Sequence, residues 1–241
     1  MPSVLITGGT TGIGRATAEL LLGRGYQIAL TGQNPESIAQ ARAELPDQVL
    51  VFRSDAGDLE ATDALMAKLQ EQFGRLDLLF LNAGVFWPSP IAEVTEKDFD
   101  RQVAVNLKGT YFTLQKALPL MNDGGSVVMT VGVGAHRGSP GSTVGAATRG
   151  ALLAMLPSLA LELAPRRIRV NTVSPGFTQT PLFDKLGVPE VAREAIRQSI
   201  PLDRFGSGRD VAEAVAYFGS AASGYVTGQD LVVAGGHGLG A

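Results

Sequence analysis

Short aliphatic runs recur along the chain, separated by longer stretches in which apolar residues return every three or four positions. The runs lie at Ser3 to Thr7, Gln27 to Thr31, Val49 to Phe52, Leu76 to Leu81, Ser126 to Val131, Ile168 to Val173 and Leu231 to Val233. Most are continuously apolar and do not alternate, which is how strands read when helices cover both faces of their sheet. Helical periodicity fills the intervals, with one long segment from about Asp98 to Met121 and another from about Thr143 to Ala164. The repeat of strand and helix predicts an α/β protein with a parallel sheet. Helix starts are marked by Asn34 before Pro35 and by the capping spacings Thr95 to Asp98 and Ser207 to Asp210. Pro157, inside the second long segment, removes a backbone hydrogen bond and predicts a kink.

No linker, low-complexity tract or internal repeat interrupts this pattern, so residues 1–241 are expected to form one domain. The stretch from Pro181 to about Phe205 is broken by Pro181, Gly187, Pro189 and Pro201 and reads as an excursion between the sixth strand and the last helix. In an open α/β sheet it would lie at the carboxyl ends of the strands, where ligands bind, which makes 181–205 a candidate substrate lid.

Composition narrows the chemistry. The chain is 45% hydrophobic and 18% charged, as a folded globular protein is. It has no cysteine, which removes disulfides, thiol nucleophiles and thiolate metal sites, and its two histidines, His136 and His237, are too few for a three-histidine zinc site. No metal is expected. A net charge of -3 without a long basic run gives no footprint for nucleic acid. No apolar run approaches the roughly 18 residues that cross a bilayer, and the start lacks a signal peptide's basic region and long apolar stretch. A soluble, cytoplasmic protein without membrane contact is the expectation.

The first strand runs directly into Thr7-Gly8-Gly9-Thr10-Thr11-Gly12-Ile13-Gly14 and then into a helical pattern. Glycines at a strand-to-helix turn let the backbone approach a pyrophosphate, and the helix N-terminus supplies N–H donors and a positive dipole end. In this context the turn points to a dinucleotide site.

Further motifs follow in order: Asn82-Ala83-Gly84 after the fourth strand, Asn106 in Val-Asn-Leu-Lys-Gly, and Arg169-Val170-Asn171 leading to Pro175-Gly176. Together with Thr7-Gly8 and Gly12-Ile13-Gly14 they resemble the short-chain dehydrogenase/reductase superfamily over essentially the whole chain. The resemblance implies a Rossmann-type, doubly wound α/β/α sandwich whose seven-stranded parallel sheet has the order 3-2-1-4-5-6-7. It also implies a nicotinamide cofactor, hydride exchange between an alcohol and a carbonyl of a small molecule, and a homo-oligomer, dimer or tetramer. Carried over by position, Gly8, Thr10, Thr11, Gly12, Ile13 and Gly14 would bound the pyrophosphate and ribose. Asp55 and Ala56 would meet the adenine, Asn82, Ala83 and Gly84 the ribose and backbone path, and Pro175, Gly176, Phe177, Thr178 and Thr180 the nicotinamide end. The second strand ends in Gln33 and Asn34, neither an acid for a 2'-hydroxyl nor a base for a 2'-phosphate. Both side chains can donate hydrogen bonds and no carboxylate there repels a phosphate, which leans toward NADP(H) over NAD(H). Arg15 is the one cation visible within the motif.

Members of this superfamily use a tyrosine, a lysine four residues later, a serine thirteen residues earlier and an asparagine on another helix. Aligned without a gap, Gly145 stands at the tyrosine position, Arg149 at the lysine position and Gly132 at the serine position, and Asn106 is retained. None of Tyr26, Tyr111, Tyr217 and Tyr225 has a lysine four residues on. Glycine cannot donate a proton, so efficient reduction of an unactivated ketone is not expected. Arg149 would clamp ribose hydroxyls yet is a poor acid. His136, four residues past Gly132, is the candidate replacement acid, with a solvent-facing loop histidine as the alternative. Two glycines also remove bulk, which predicts a more open site. Whether the chain is an enzyme stays open at this point among three readings: an oxidoreductase with weak or unconventional activity, a catalytically silent NAD(P)-binding sensor or scaffold, and a non-redox lyase or isomerase in the same cleft.

Overall fold

The computed structural model describes residues 1–185 and 187–239; residue 186, within the 181–205 excursion, lies outside them. The strands are β1 (Ser3–Thr7), β2 (Gln27–Gly32), β3 (Leu50–Arg53), β4 (Leu76–Leu81), β5 (Met121–Thr130), β6 (Arg169–Pro175), the two-residue β7 (Thr178–Gln179) and β8 (Gly206–Ser207), and β9 (Asp230–Val233). Seven of them form a sheet in the order β3-β2-β1-β4-β5-β6-β9, and every pairing is parallel. This is the expected doubly wound order. The seventh sheet strand is ninth in the chain because β7 and β8 pair only with each other.

Between the strands run α1 (Gly12–Gly23), α2 (Pro35–Glu44), α3 (Leu59–Gln72), α4 (Glu96–Gln102), α5 (Thr110–Ala117), α6 (Thr143–Leu163), α7 (Pro181–Lys185), α8 (Glu190–Gln198) and α9 (Gly208–Gly219). Successive strand side chains point to opposite faces, so each central strand feeds two cores. Val4 and Ile6, with Leu78 and Phe80, pack beneath α1, α2 and α9, whereas Leu5, Leu79 and Leu81 pack beneath α3, α5 and α6. All seven are essentially without exposure, and each such side chain contributes about 1.5–3 kcal/mol. That double coverage is why the strands read as continuous apolar runs.

The long segment expected from Asp98 to Met121 is not one helix. It is α4, a π-helical turn over Val103–Gly109, and α5, and Met121 already pairs with Leu76 in β5. The second long helix behaves differently: α6 continues as one element through Pro157, with Pro157 on its exposed side and Leu152, Leu156, Ala160 and Leu163 facing the core. By length and composition alone, Thr143–Arg166, mean hydropathy 1.4, is apolar enough to cross a bilayer. The run-length expectation missed this because Arg149 and Glu162 interrupt the apolar sequence. The excursion after β6 packs back on the body through Phe183 and Ile200, both buried, with Phe183 lying between the rings of Phe177 and Phe205.

Candidate nucleotide site and adjoining cleft

At the end of β1 the chain turns sharply, held by Gly8 N donating to Thr31 Oγ1 at 3.3 Å and Gly9 N donating to the Thr31 carbonyl at 2.8 Å. A β-carbon on Gly14 would stand 2.3 Å from the Gly8 carbonyl oxygen, so this approach admits only glycine. Thr11 occupies the N-cap of α1 in an extended conformation and makes no capping hydrogen bond. The first turn of α1 therefore keeps its N–H groups for an outside acceptor at the positive end of the helix dipole. An uncapped helix start behind a glycine turn fits a pyrophosphate. Thr10 and Ile13 turn away from that space: Thr10 Oγ1 lies 3.1 Å from Ser37 Oγ, and Ile13 packs against the core. Thr180 is brought to the turn, its Cγ2 3.4 Å from where a β-carbon on Gly12 would be.

Asn82 holds strand ends together. Its Nδ2 donates to the carbonyls of Thr7 (3.3 Å) and Gly8 (3.1 Å), and its Oδ1 accepts from Thr130 Oγ1 (3.1 Å). Thr7 Oγ1 accepts the amides of Asn82 and Ala83. The side chain expected to meet a ligand thus ties β1, β4 and β5, leaving Ala83 and Gly84 as the backbone beyond it.

From α6, Arg149 reaches the same ends. Nη1 donates to the Thr130 carbonyl at 2.8 Å and Nη2 to the Ala83 carbonyl at 3.3 Å. Desolvation pulls its pKa down to about 10, which leaves it charged at neutral pH, and no carboxylate pairs with it among the described residues. A β-carbon on Gly84 would sit 1.6 Å from Nη2, so with Arg149 seated here position 84 has room only for glycine. Asn106, buried in the π-helical turn, accepts from Val85 N (2.9 Å) and donates to the Val85 carbonyl (2.9 Å) and to Thr148 Oγ1 (3.2 Å). It fixes the loop after β4 against α6.

Gly132 has φ 109° and ψ 148°, a conformation that side chains rarely adopt. Gly145 faces Phe86: a β-carbon there would lie 2.7 Å from Phe86 Cδ2 and 2.8 Å from Cε2. The expectation of a more open site fails at this position, because a phenylalanine from the loop after β4 takes up the room. Gln102 Oε1, buried and without a hydrogen-bond partner, lies 3.7 Å from the same point. His136 is exposed, as a loop histidine facing solvent would be, but it is tethered: its Nε2 is 2.8 Å from Asp230 Oδ2 and 3.1 Å from Ser174 Oγ, tying the loop after β5 to β6 and β9. Phe177 stacks edge-on with Phe183 and His237, and Thr178 Oγ1 donates to the Gly176 carbonyl that follows Pro175.

At the other end, Asn34 is occupied in capping α2, accepting from Glu36 N and Ser37 N. Arg15 is paired with Glu19 (2.6 Å) and Glu44 (3.4 Å) and is no free cation. The carbonyl of Ala56 packs against Gly109. Gln33 Nε2 donates to Asp55 at 2.9 Å, and both residues meet Arg101 of α4. Arg101 and Phe86 are the residues that sequence reasoning missed, because each reaches the site from a segment without a motif.

Over residues 8–237 the chain matches the family described as Enoyl-(Acyl carrier protein) reductase. It is 36% identical over 237 residues to the 3-oxoacyl-(acyl-carrier-protein) reductase FabG of Thermotoga maritima, covering 96% of each chain. Identity to the Staphylococcus aureus N315 protein of the same name is 33% over 241 residues, covering 97% of each. Among solved structures it resembles levodione reductase, with TM-score 0.92 and 31% identity over 100% of this chain and 98% of that one. A Brucella melitensis protein titled short-chain dehydrogenase/reductase SDR: glucose/ribitol dehydrogenase superposes with TM-score 0.92 at 32% identity, covering 98% and 96%.

Proposed function

The chain belongs to the short-chain dehydrogenase/reductase superfamily, and from that premise we propose that it is an NADP(H)-dependent reductase of small carbonyl compounds that does not draw its proton from a side chain at position 145. The observation that carries the nucleotide half of this reading is the uncapped start of α1 behind the Gly8–Gly14 contact. When bound, the nicotinamide supplies a hydride. The chain's own residues do the rest: the first amides of α1 hold the pyrophosphate, Arg149 clamps ribose hydroxyls from its seat on the Thr130 and Ala83 carbonyls, and Asn106 keeps the loop after β4 in register with α6.

At position 145 the nearest side chain is the Phe86 ring, which donates no proton. General acid catalysis contributes about 10²–10⁴-fold, so turnover of unactivated ketones is expected to be slow. Substrates whose oxyanion is already stabilised need that help least. Diketones, quinones and 3-oxoacyl thioesters fit this description, and the names of the relatives direct attention to two of these classes. A second reading, a silent NADP(H)-binding sensor, is favoured by the same ring, because Phe86 takes volume from the cleft as well as chemistry.

Titrating NADPH by its fluorescence and then following its oxidation against these three carbonyl classes separates the readings. Turnover supports the reductase, binding without turnover supports the sensor, and failure to bind either nicotinamide dinucleotide overturns both. We also propose a homo-oligomer joined through the outer side of α6, where Leu161 is 77% exposed. Light scattering showing a monomer at micromolar concentration would overturn that assembly.

A further inference from the structure

Gln102 and Asn106 stand four residues apart where α4 runs into the π-helical turn, both are buried, and both turn toward α6. Asn106 is fully paired: Oδ1 accepts from Val85 N, and Nδ2 donates to the Val85 carbonyl and to Thr148 Oγ1. Gln102 is not. Its Oε1 is buried without a hydrogen-bond partner and lies 3.7 Å from where a β-carbon on Gly145 would be. Buried acceptors of this kind are rare in folded chains, because the bond to water is given up and nothing replaces it. The other atoms nearest that point are Cδ2 and Cε2 of Phe86, at 2.7 and 2.8 Å. Phe86 is half-buried and belongs to neither of the two cores. The backbone on either side of it is pinned, at Val85 by Asn106 and at Ser89, whose N–H donates to the Gly141 carbonyl at 2.9 Å. The ring can therefore change rotamer while the loop stays in place, and doing so opens a small pocket with the Gln102 amide on its wall.

We infer that Gln102 is a specificity-determining residue: its amide oxygen accepts a hydrogen bond from a hydroxyl that the substrate carries close to its carbonyl, in the space that the Phe86 ring gives up. The inference rests on the reductase reading above and names its substrate class, hydroxyketones and diketones in their enol form. A hydroxyl matches the site better than other donors do. One neutral acceptor has nothing to balance an ammonium charge, and an ammonium or primary amide brings extra donors that a phenyl ring and Gly145 leave unpaired. Gly145 precedes Arg149 by about one turn of α6, roughly 5.4 Å, so the hydroxyl is seated beside the end of the cleft that Arg149 shares with the nucleotide. Discrimination follows from the orphaned oxygen. A ketone without the hydroxyl has to displace the same ring and still leaves Oε1 unpaired, which is how a polar site rejects an analogue lacking the matching group.

The test is calorimetric titration of the chain loaded with 1,4,5,6-tetrahydro-NADP, which gives up no hydride. Two matched pairs serve as probes: 2-hydroxycyclohexanone against cyclohexanone, and 2-hydroxyacetophenone against acetophenone. In at least one pair the hydroxylated member is expected to bind about tenfold or more tighter. Gln102→Met keeps the volume and loses the acceptor. It should bring each pair to within about twofold, leave nucleotide affinity unchanged, and leave the urea midpoint unchanged or raised, because an unpaired buried oxygen is removed. Phe86→Ala should tighten the hydroxylated member by about threefold or more, since no ring then has to be displaced. Equal affinity within both pairs, or no binding of any probe up to about 10 mM, would overturn the inference while nucleotide binding stands. So would discrimination that survives Gln102→Met, or a lowered midpoint in that variant, which would mean that the amide is paired in the folded chain. No gain in Phe86→Ala would overturn the displacement of the ring. Failure to bind the nucleotide itself would overturn the reductase reading on which the inference rests.

Discussion

Phe86 and Gly145 are packed as a pair: the ring presents its Cδ2–Cε2 edge to the glycine, and a β-carbon at 145 would stand 2.7 Å from Cδ2 and 2.8 Å from Cε2. Glycine at this position leaves room for a ring that reaches it from another loop, and a larger residue at 145 requires that ring to move. Gly145→Tyr alone is expected to overpack the site and cost about 1–3 kcal/mol. Phe86→Ala in the same chain should recover much of that loss. Urea denaturation of the two single variants and the double variant measures the coupling; a Gly145→Tyr chain as stable as the wild type would show that the ring moves aside freely.

Gly132 is constrained by its backbone. At φ 109° a serine escapes steric strain only if the loop after β5 refolds, so Gly132→Ser should destabilise by about 1–3 kcal/mol. Gly132→Ala should cost the same, which separates the backbone from the hydroxyl. Chemical denaturation of both variants is the measurement. A serine variant clearly more stable than the alanine one would mean that the hydroxyl finds a partner and the conformation is not the limiting factor.

Much of the fold was legible because the central strands are buried on both faces and β1, β2 and β4 are largely apolar, and short runs of that kind alternating with helical segments fit a parallel sheet covered on both sides. The ends of elements were less so. The π-helical turn at Val103–Gly109 left no mark in the hydrophobic period, and the partner of its Asn106, Val85, lies twenty-one residues away. The glycine turn at Gly8–Gly14 was readable from local spacing alone. The Phe86 ring and the Arg101–Asp55 pair were not, because each joins segments whose proximity only the folded sheet creates.

The start of α9 gives a prediction in pH. Ser207 and Asp210 cap each other reciprocally, and Arg204 bonds the same carboxylate at 2.8 and 2.9 Å. The Arg204 hydrogen bond first, and the Ser207 amide next, hold the Asp210 pKa well below the usual carboxylate range. A carboxylate depressed in the folded state stabilises it above the unfolded pKa near 3.8 and loses that contribution as pH falls below it. Asp210→Asn should cost about 1 kcal/mol at neutral pH, allowing for partial solvent screening. The gap between the two chains should narrow as pH falls below about 4 and keep narrowing until the depressed folded-state pKa is passed. A gap that persists unchanged at low pH would assign the effect to something other than the charge.

His136 separates a proton donor from a tether. Its Nε2 is shared between Asp230 Oδ2 and Ser174 Oγ, and Asp230 Oδ1 is separately bonded by Thr172 Oγ1 at 2.6 Å and Ser174 Oγ at 2.9 Å. Removing the imidazole consequently leaves the carboxylate with two partners, and His136→Ala should cost only about 1 kcal/mol. As a tether, the residue orders the loop between β5 and α6, so the variant should show faster amide exchange over residues 133–142 and unchanged NADPH affinity. Turnover, where a carbonyl substrate is found, should change less than about threefold, against the roughly 10²–10⁴-fold expected for loss of a general acid. The two outcomes do not overlap. A hundredfold fall in turnover with full nucleotide binding would make His136 the acid after all, and would require the loop to leave Asp230 during the reaction.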